Sequence, residues 1–331
     1  MTMIALFLLS VVVQAAQPDL IGSELQHLGA ASDLQRDITG VDGPGWVGYA
    51  VPVAAGAHKT CSGVFDLDHG GGYASRDDDG DAKVELYIFS RVVGGNVTEV
   101  RSVASGCRIR AGAIPVYWLS SVSSEDSLRF LEGVARRQPG ADIAESAVHA
   151  IAWHAGAAAD ERLDAFARGE WPLTVREKAV FWMGAARGEE GYRTLAALID
   201  EVSERELRET IVFALHLSDA DGATPTLIRV AREDGVSEIR EKALFWLAQE
   251  AGQQAATAIA GAVRDDPELD VKKKAVFALS QLPPEEGVPL LVEVAQSHPQ
   301  PEIRKKAFFW LGQSGDPQAL ALIEKVLLNE H

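Results

Sequence analysis

One stretch of this chain copies itself. Val175-Arg176-Glu177-Lys178-Ala179 and Ile239-Arg240-Glu241-Lys242-Ala243 are near duplicates, 64 residues apart. Half that distance lands on Leu207-Arg208, and further steps of 32 residues land on Val271-Lys272 and Ile303-Arg304, with a weaker copy at Ile143. A fixed period of this size means repeated supersecondary units, each burying its apolar face against its neighbours. Six units therefore start at 143, 175, 207, 239, 271 and 303. The first apolar column is Ile143, Val175, Leu207, Ile239, Val271 and Ile303. Four residues on come Ala147, Ala179, Ile211, Ala243, Ala275 and Ala307; eight residues on come Ile151, Met183, Leu215, Leu247, Leu279 and Leu311. Such spacing puts all three columns on one face of a helix.

Each unit has room for a second helix. Its column, twenty residues from the start, reads Leu163, Leu195, Leu227, Ile259, Leu291 and Ile323. Four residues before it every unit has Gly or Ala: Ala159, Gly191, Ala223, Ala255, Gly287 and Ala319. A small residue at one register in every copy implies that the paired helices approach closely there. Pro283-Pro284 and Ser314-Gly315-Asp316-Pro317 sit where the first helix should turn into the second. Two helices of about twelve residues and two short turns fill 32 residues, giving a helical hairpin.

The units resemble HEAT repeats of the short type also found in phycobilisome lyases. The shared pattern is an acidic residue, Val/Ile-Arg, two residues, Ala, two residues and Ala/Trp-Leu-Gly. Glu302-Ile303-Arg304-Lys305-Lys306-Ala307-Phe308-Phe309-Trp310-Leu311-Gly312 carries it most fully. The resemblance covers 143–331. It implies a right-handed α-solenoid of six 32-residue hairpins, in an α+β chain whose small β-rich module comes first. It also implies binding of other proteins as the usual role. Iron-dependent hydroxylases on related repeats carry His-Glu pairs as ligands, and no His here is followed directly by Glu.

Two aromatic columns stand out. Seven residues from each start the chain alternates Ala150, Trp182, Ala214, Trp246, Ala278, Trp310. The angle points inward, so Trp182, Trp246 and Trp310 are expected in the core, large beside small; an aromatic stripe for a ligand is the alternative. One residue earlier are His149, Phe181, Phe213, Phe245, Phe277 and Phe309. These Phe residues are expected to pack between repeats, with an exposed rib for a partner as the alternative. His149 is expected to be an adaptation of the first copy, where the repeats begin.

The outward face of the second helices carries Arg168, Arg193, Arg229, Arg232, Arg264 and Lys325 against Glu161, Asp200 and Glu293. Second helices usually line the inner side of such a solenoid. A locally positive groove, with Arg193, Arg229, Arg232 and Arg264 as its binding residues, would take a protein or peptide partner carrying acidic groups.

The N-terminal part has a different grammar. Val84–Phe89 and Val97–Val103 alternate at period two around Gly94-Gly95-Asn96, a hairpin signal. Trp46–Pro52 reads as another strand, its proline favouring a sheet edge. A helix should begin near Ser124, ahead of Leu128, Leu131 and Val134. Residues 17–140 are thus expected to form a β-rich module ending in a helix, with the solenoid at 141–331. Ile4–Val13 is an uncharged apolar run too short to span a bilayer, followed by Val13-Gln14-Ala15 as a cleavage signal. Residues 1–16 therefore read as a signal peptide, and the protein as exported, periplasmic or secreted. Cys61 and Cys107, which lie on either side of the hairpin, are expected to form a disulfide in that setting. His58 and His69 lack a second half of a metal site. Asp77-Asp78-Asp79-Gly80-Asp81 reads as a solvated acidic loop, lacking the Glu of a calcium loop.

The chain has 31 Lys and Arg against 48 Asp and Glu, a net charge of −17. That balance opposes general nucleic-acid binding and docking on anionic membranes. No Gly-rich phosphate loop, Gly-x-Ser-x-Gly elbow or His-Glu-x-x-His motif occurs. The reading is an exported, non-catalytic interaction scaffold without metal or cofactor. The competing reading is an enzyme of the HEAT-like lyase or hydroxylase type, or a redox or metal sensor using the N-terminal module.

Overall fold

A computed structural model describes residues 17–54, 63–70, 85–250 and 252–327, with side chains through Glu324. The apolar run at 4–13, Cys61, His58 and Asp77–Asp81 lie outside the described residues. The chain divides into two compact units, Met1–Ala159 and Asp160–His331.

In the first unit the strands are β1 (Asp19–Ile21), β2 (Leu25–Ala30), β3 (Gly45–Pro52), β4 (Val64–Asp66), β5 (Glu85–Val93), β6 (Asn96–Ala104), β7 (Arg108–Arg110) and β8 (Val116–Ser120). They form a five-stranded sheet, β2-β8-β3-β5-β6, and a three-stranded sheet, β1-β7-β4. The helices are α1 (Leu34–Thr39), α2 (Ser124–Arg137) and α3 (Asp142–Ala152). The expected hairpin is β5–β6; Gly94 and Gly95 hold φ of 58° and 74°, the left-handed values its two-residue turn requires. Strand β3 alternates its side chains between two apolar surroundings. Trp46 joins Tyr87, Phe89 and Trp118 with Leu67 and Ile109 from around the small sheet, while Tyr49 reaches α2. Gly48 leaves room for Phe89, whose ring lies 2.5 Å from where a Cβ would stand.

The expectation that Trp46–Pro52 lies at an edge is corrected. Strand β3 runs between β8 and β5. Its pairing with β8 covers only Trp46–Gly48, so Pro52 sits past the region where that side needs an N–H. There the chain at 153–155 takes over: Ala155 N donates to Pro52 O at 3.0 Å, and Ala54 N donates to Trp153 O at 2.9 Å. Helix α3, the weakest copy of the repeat, packs on α2 and β6. Its neighbour is a strand, which explains His149 in place of Phe: its Nδ1 lies 3.3 Å from Ser102 Oγ on β6.

Helix α4 (Ala157–Arg168) crosses into the second unit, which continues as α5 (Leu173–Ala186), α6 (Gly188–Glu201), α7 (Arg205–Leu217), α8 (Ala223–Glu233), α9 (Ser237–Leu247), α10 (Gln253–Asp265), α11 (Leu269–Leu279), α12 (Pro284–Ser297), α13 (Pro301–Ser314) and α14 (Pro317–Leu327). Helices α5, α7, α9, α11 and α13 pack side by side as one layer, and α6, α8, α10, α12 and α14 form the other. The first-helix columns at the unit starts, and at four and eight residues on, are buried as the 32-residue period predicts. The small-residue column does what its register implies. A Cβ on Gly191 would stand 2.1 Å from Met183 O, and one on Gly287 2.3 Å from Leu279 O. In those hairpins the second helix touches the backbone of the first.

One feature of the array was present in the repeats but unassigned by sequence reasoning. From the second repeat onward the residue after each unit start is basic: Arg176, Arg208, Arg240, Lys272, Arg304; the first repeat has Ala144 there. Four of these reach carbonyls ending the preceding second helix. Arg176 Nε donates to Ala167 O at 2.9 Å, Arg240 Nη1 to Asp234 O at 2.7 Å, Lys272 Nζ to Arg264 O at 2.6 Å, and Arg304 Nη1 to His298 O at 2.7 Å. A cation there meets the negative end of the helix dipole. Arg240 also grips Asp266 with two bonds of 2.7 and 3.0 Å, and Arg208 is paired with Asp234. The Asp266 carboxylate in turn accepts from Glu268 N at 2.9 Å, fixing the turn into α11.

Side chains of Arg240 and Asp266 are 7% and 3% exposed, so removing one leaves the other's charge buried without its counter-charge. Asp266→Ala should cost about 3–5 kcal/mol in urea unfolding. Arg193→Ala, which removes an exposed helix-surface pair, should cost at most about 0.5 kcal/mol in the same measurement.

Candidate functional site

On the second-helix layer, α8 and α10 enclose a groove of about 710 Å³. Its floor is Ile228, Ala231, Ala258 and Ala262; Gly261 and Thr257 keep it open because neither projects a large side chain. Its polar lining is Arg232, Gln253, Gln254 and Arg264 together with Asp265 and Asp266, which are already engaged by Arg264 and Arg240. The structure thus brings together two of the four expected binding arginines, Arg232 and Arg264. Arg193 and Arg229 do not line this groove. Arg229 is held by Asp200 through two bonds of 3.0 Å, and Arg193 by Glu190 at 2.6 Å and Glu189 at 3.4 Å. Arg264 is answered by its neighbour Asp265 at 3.1 and 3.2 Å. Arg232 is exposed and has no ion pair among the described residues. The face is less positive than its outward columns suggest, because Arg168, Arg193, Arg229 and Arg264 are each answered by a carboxylate on their own helix or the neighbouring hairpin.

The opposite layer carries the aromatics. The expectation that Trp182, Trp246 and Trp310 lie in the core beside alanines is corrected. Ala150, Ala214 and Ala278 are buried, whereas the three indoles are half-buried. The column sits at the rim of the core stripe, so a methyl group ends inside while an indole extends past the rim. There it meets the Phe column of the preceding hairpin. Trp246 lies 4.6 Å from Phe213 and Trp310 lies 5.1 Å from Phe277, centroid to centroid. Phe181 and Phe213 are 6.0 Å apart. So the Phe column does pack between hairpins, but Phe245 and Phe309 remain 38% and 53% exposed. Lys306 lies over the rings of Phe309 and Trp310, at 5.8 and 5.6 Å. On the same face the Glu241 carboxyl is pushed above the usual carboxylate range by burial, and by Asp270 and Glu238, against the opposing pull of Lys274.

Residues 255–331 match the family model for HEAT repeats. Within the second unit that match covers most of α10 and all of α11 to α14. Among solved structures, the array resembles human deoxyhypusine hydroxylase in complex with glycerol (17% identity, 60% of this chain, 77% of that chain, TM-score 0.27). It also resembles the complex of CpcE and CpcF of phycocyanin lyase from Nostoc sp. PCC7120 (19% identity, 59% and 80% coverage, TM-score 0.35). A third likeness is to the Cnd3–Cnd2 subcomplex of S. pombe condensin (15% identity, 60% and 28% coverage, TM-score 0.37). No curated protein is significantly similar in sequence.

Outside the HEAT repeats the first unit holds a buried polar chain. Tyr49 Oη lies 2.8 Å from Ser127 Oγ, which lies 2.9 Å from His154 Nε2. His154 Nδ1 is 2.8 Å from Ala150 O. A carbonyl only accepts, so Nδ1 carries the proton. In the neutral imidazole Nε2 then accepts from Ser127, which accepts from Tyr49. All three side chains are buried, and burial pushes the Tyr49 phenol well above its ordinary value. This chain joins β3, α2 and the end of α3; it has the residue types of a nucleophilic dyad without access for a substrate. Cys107 is 4% exposed within the apolar cluster under the sheet, and the described residues include no free cysteine. His69 lies against Asp66 at 3.2 Å on the surface, and no group of three or more metal-ligating side chains occurs among the described residues. No helix of the described residues is long and apolar enough to cross a membrane.

Because the Trp246 ring is only half-buried, packed against Phe213, Phe245 and His216 but open in part to solvent, Trp246→Ala should cost about 2 kcal/mol in chemical unfolding, below the ~3–5 kcal/mol of a fully enclosed indole.

Proposed function

We propose that this protein is an exported, non-catalytic scaffold whose HEAT-repeat array binds a peptide segment of a partner protein in the groove over α8 and α10. The observation that carries this reading is the groove itself: an apolar floor flanked by Arg232, an exposed cation without a carboxylate in a chain of net charge −17. Arg264 in the same groove, and Arg168, Arg193 and Arg229 on other second helices, are neutralised by nearby acids. A peptide with an acidic side chain beside small apolar ones fits both features: the carboxylate meets Arg232, and Arg264 can exchange Asp265 for it. The floor of Ala and Ile admits a side chain of modest size, and Gln254 offers an amide to peptide backbone.

Export is supported by the short apolar segment at the N-terminus and its small-residue cleavage signal. A bridge from Cys107 to Cys61 fits an oxidising compartment and the buried position of Cys107.

A photo-crosslinking residue at Thr257, used in the native host, tests the groove directly. A discrete crosslinked partner should form, and Arg232→Glu with Arg264→Glu should reduce it at least about tenfold, since reversing both contacts sets charge against charge. Arg193→Glu, outside the groove, should leave the product unchanged. Equal crosslinking in the double variant would remove the groove as the binding site.

A further inference from the structure

Trp246 and Trp310 hold the same register two hairpins apart, seven residues from the starts at 239 and 303. Two of their ring neighbours match. Phe213 lies 4.6 Å from Trp246, and Phe277 lies 5.1 Å from Trp310. Each indole also meets the preceding phenylalanine edge-on, Phe245 at 4.9 Å and Phe309 at 5.0 Å. The third neighbour is present only once. His216 stacks on Trp246, with centroids 4.8 Å apart and planes 23° from parallel. Its Nδ1 lies 3.3 Å from Glu250 Oε1, while Glu250 Oε2 accepts from Thr224 Oγ1 at 2.8 Å. Two hairpins on, the places of His216, Glu250 and Thr224 are taken by Ser280, Ser314 and Val288.

The missing ring leaves a space. A hollow of about 260 Å³ lies beside Trp310, walled by Leu279, Val288 and Leu291, with Ser280 on its lining. Gln281, Gln313 and Ser314 border it as well, and all three are exposed, so its mouth is polar and open to solvent. Lys306 lies 5.6 Å from the same indole but lines the hollow on the other side, over α11 and α13. Ser280 and Ser314 donate their hydroxyl protons to Phe277 O and Leu311 O, each at 2.7 Å. Each oxygen accepts once, from Gln281 Nε2 and from Asp316 N, both at 3.2 Å. Each therefore keeps one lone pair for a further donor.

We propose that this hollow is a pocket for a histidine side chain of a partner protein, whose imidazole takes beside Trp310 the place that His216 takes beside Trp246. A flat ring of that size stacks on an indole, and its N–H meets the Ser314 oxygen at the mouth. No Asp or Glu borders the hollow, so the ring enters neutral, and a lysine or arginine would bring a charge with nothing to answer it. A phenyl ring would make no use of the polar mouth. The exposed mouth admits a side chain from outside without any movement of the hairpin. The pocket shares no residue with the groove over α8 and α10, so it stands whether or not that groove binds.

Titration with N-acetyl-histidine methylamide reads the pocket through the ¹H–¹⁵N signals of the tryptophan indoles, at about pH 8, where an ordinary imidazole is neutral. The signal lost in Trp310→Phe is the reporter. It should move saturably, with half its change between about 1 and about 50 mM for a ligand of one ring. N-acetyl-alanine methylamide should leave it in place. Ser280→His with Ser314→Glu transplants the filling pair; the reporter should then stop responding, while unchanged signals from the other indoles show that the fold is kept. His216→Ser opens the equivalent place, so the Trp246 signal should begin to respond. A reporter that is silent up to about 100 mM, or that moves equally with the alanine compound, would overturn the proposal. So would an undiminished response in the filled variant, or a silent Trp246 in His216→Ser. A response to free imidazole but not to the blocked histidine would assign the hollow to a free small ring and overturn the partner histidine.

Discussion

Everything in the helical array depends on how each hairpin is fastened to the one before it. Apolar columns alone would let neighbouring hairpins slide, because Leu, Val and Ala side chains offer no direction. The basic residue after each unit start from 175 onward supplies one. Arg240 is the clearest case, with one guanidinium nitrogen on a carbonyl at the end of α8 and two on the carboxylate of Asp266 beyond α10. That single side chain sets the spacing of three successive helices. It also satisfies a helix end whose carbonyls would otherwise lie partly buried without donors. The cost of desolvating a guanidinium is offset only when every bond is made, so the latch favours one register over its neighbours.

Both sites of interest follow from that register. On the second-helix layer, fixed spacing leaves a gap between α8 and α10 wherever the facing residues are small, and Thr257 with Gly261 makes that gap deep enough to be a groove. On the first-helix layer, the same spacing sets Trp246 beside Phe213 and Trp310 beside Phe277, so the place that His216 fills next to one indole recurs next to the other. Ser280 at that place is a departure that the repeat does not require.

The first unit is organised by a different rule. Strand β3 is apolar on both sides because the small sheet covers one face and helices the other, so it loses the alternation of a half-exposed strand. Its interior position was hidden in the sequence by Pro52, which suggested an edge. What the proline marks is the end of pairing with β8. The Tyr49–Ser127–His154 chain was equally invisible: its members are far apart in sequence and belong to a strand, a helix and a turn. His154 was not separable from an ordinary surface histidine until Ser127 and Ala150 O were placed around it.

The sequence by itself determined the period, the helix faces, the hairpin turns and the N-terminal β5–β6 hairpin. These rest on local rules: apolar spacing, glycine at positive φ, proline at helix starts. It also held the full list of charged side chains that could make a binding face. Only the tertiary structure decided which of those charges remain available, because several of them are answered from a neighbouring hairpin rather than from their own helix. Arg229 is consumed by Asp200 and Arg240 by Asp266, whereas Arg232 is left in a groove. The fate of the tryptophans was decided at the same level. A helical wheel gives the direction of a Cβ but not the length of the ring beyond it, and the partner ring of Trp246 stands on the preceding hairpin.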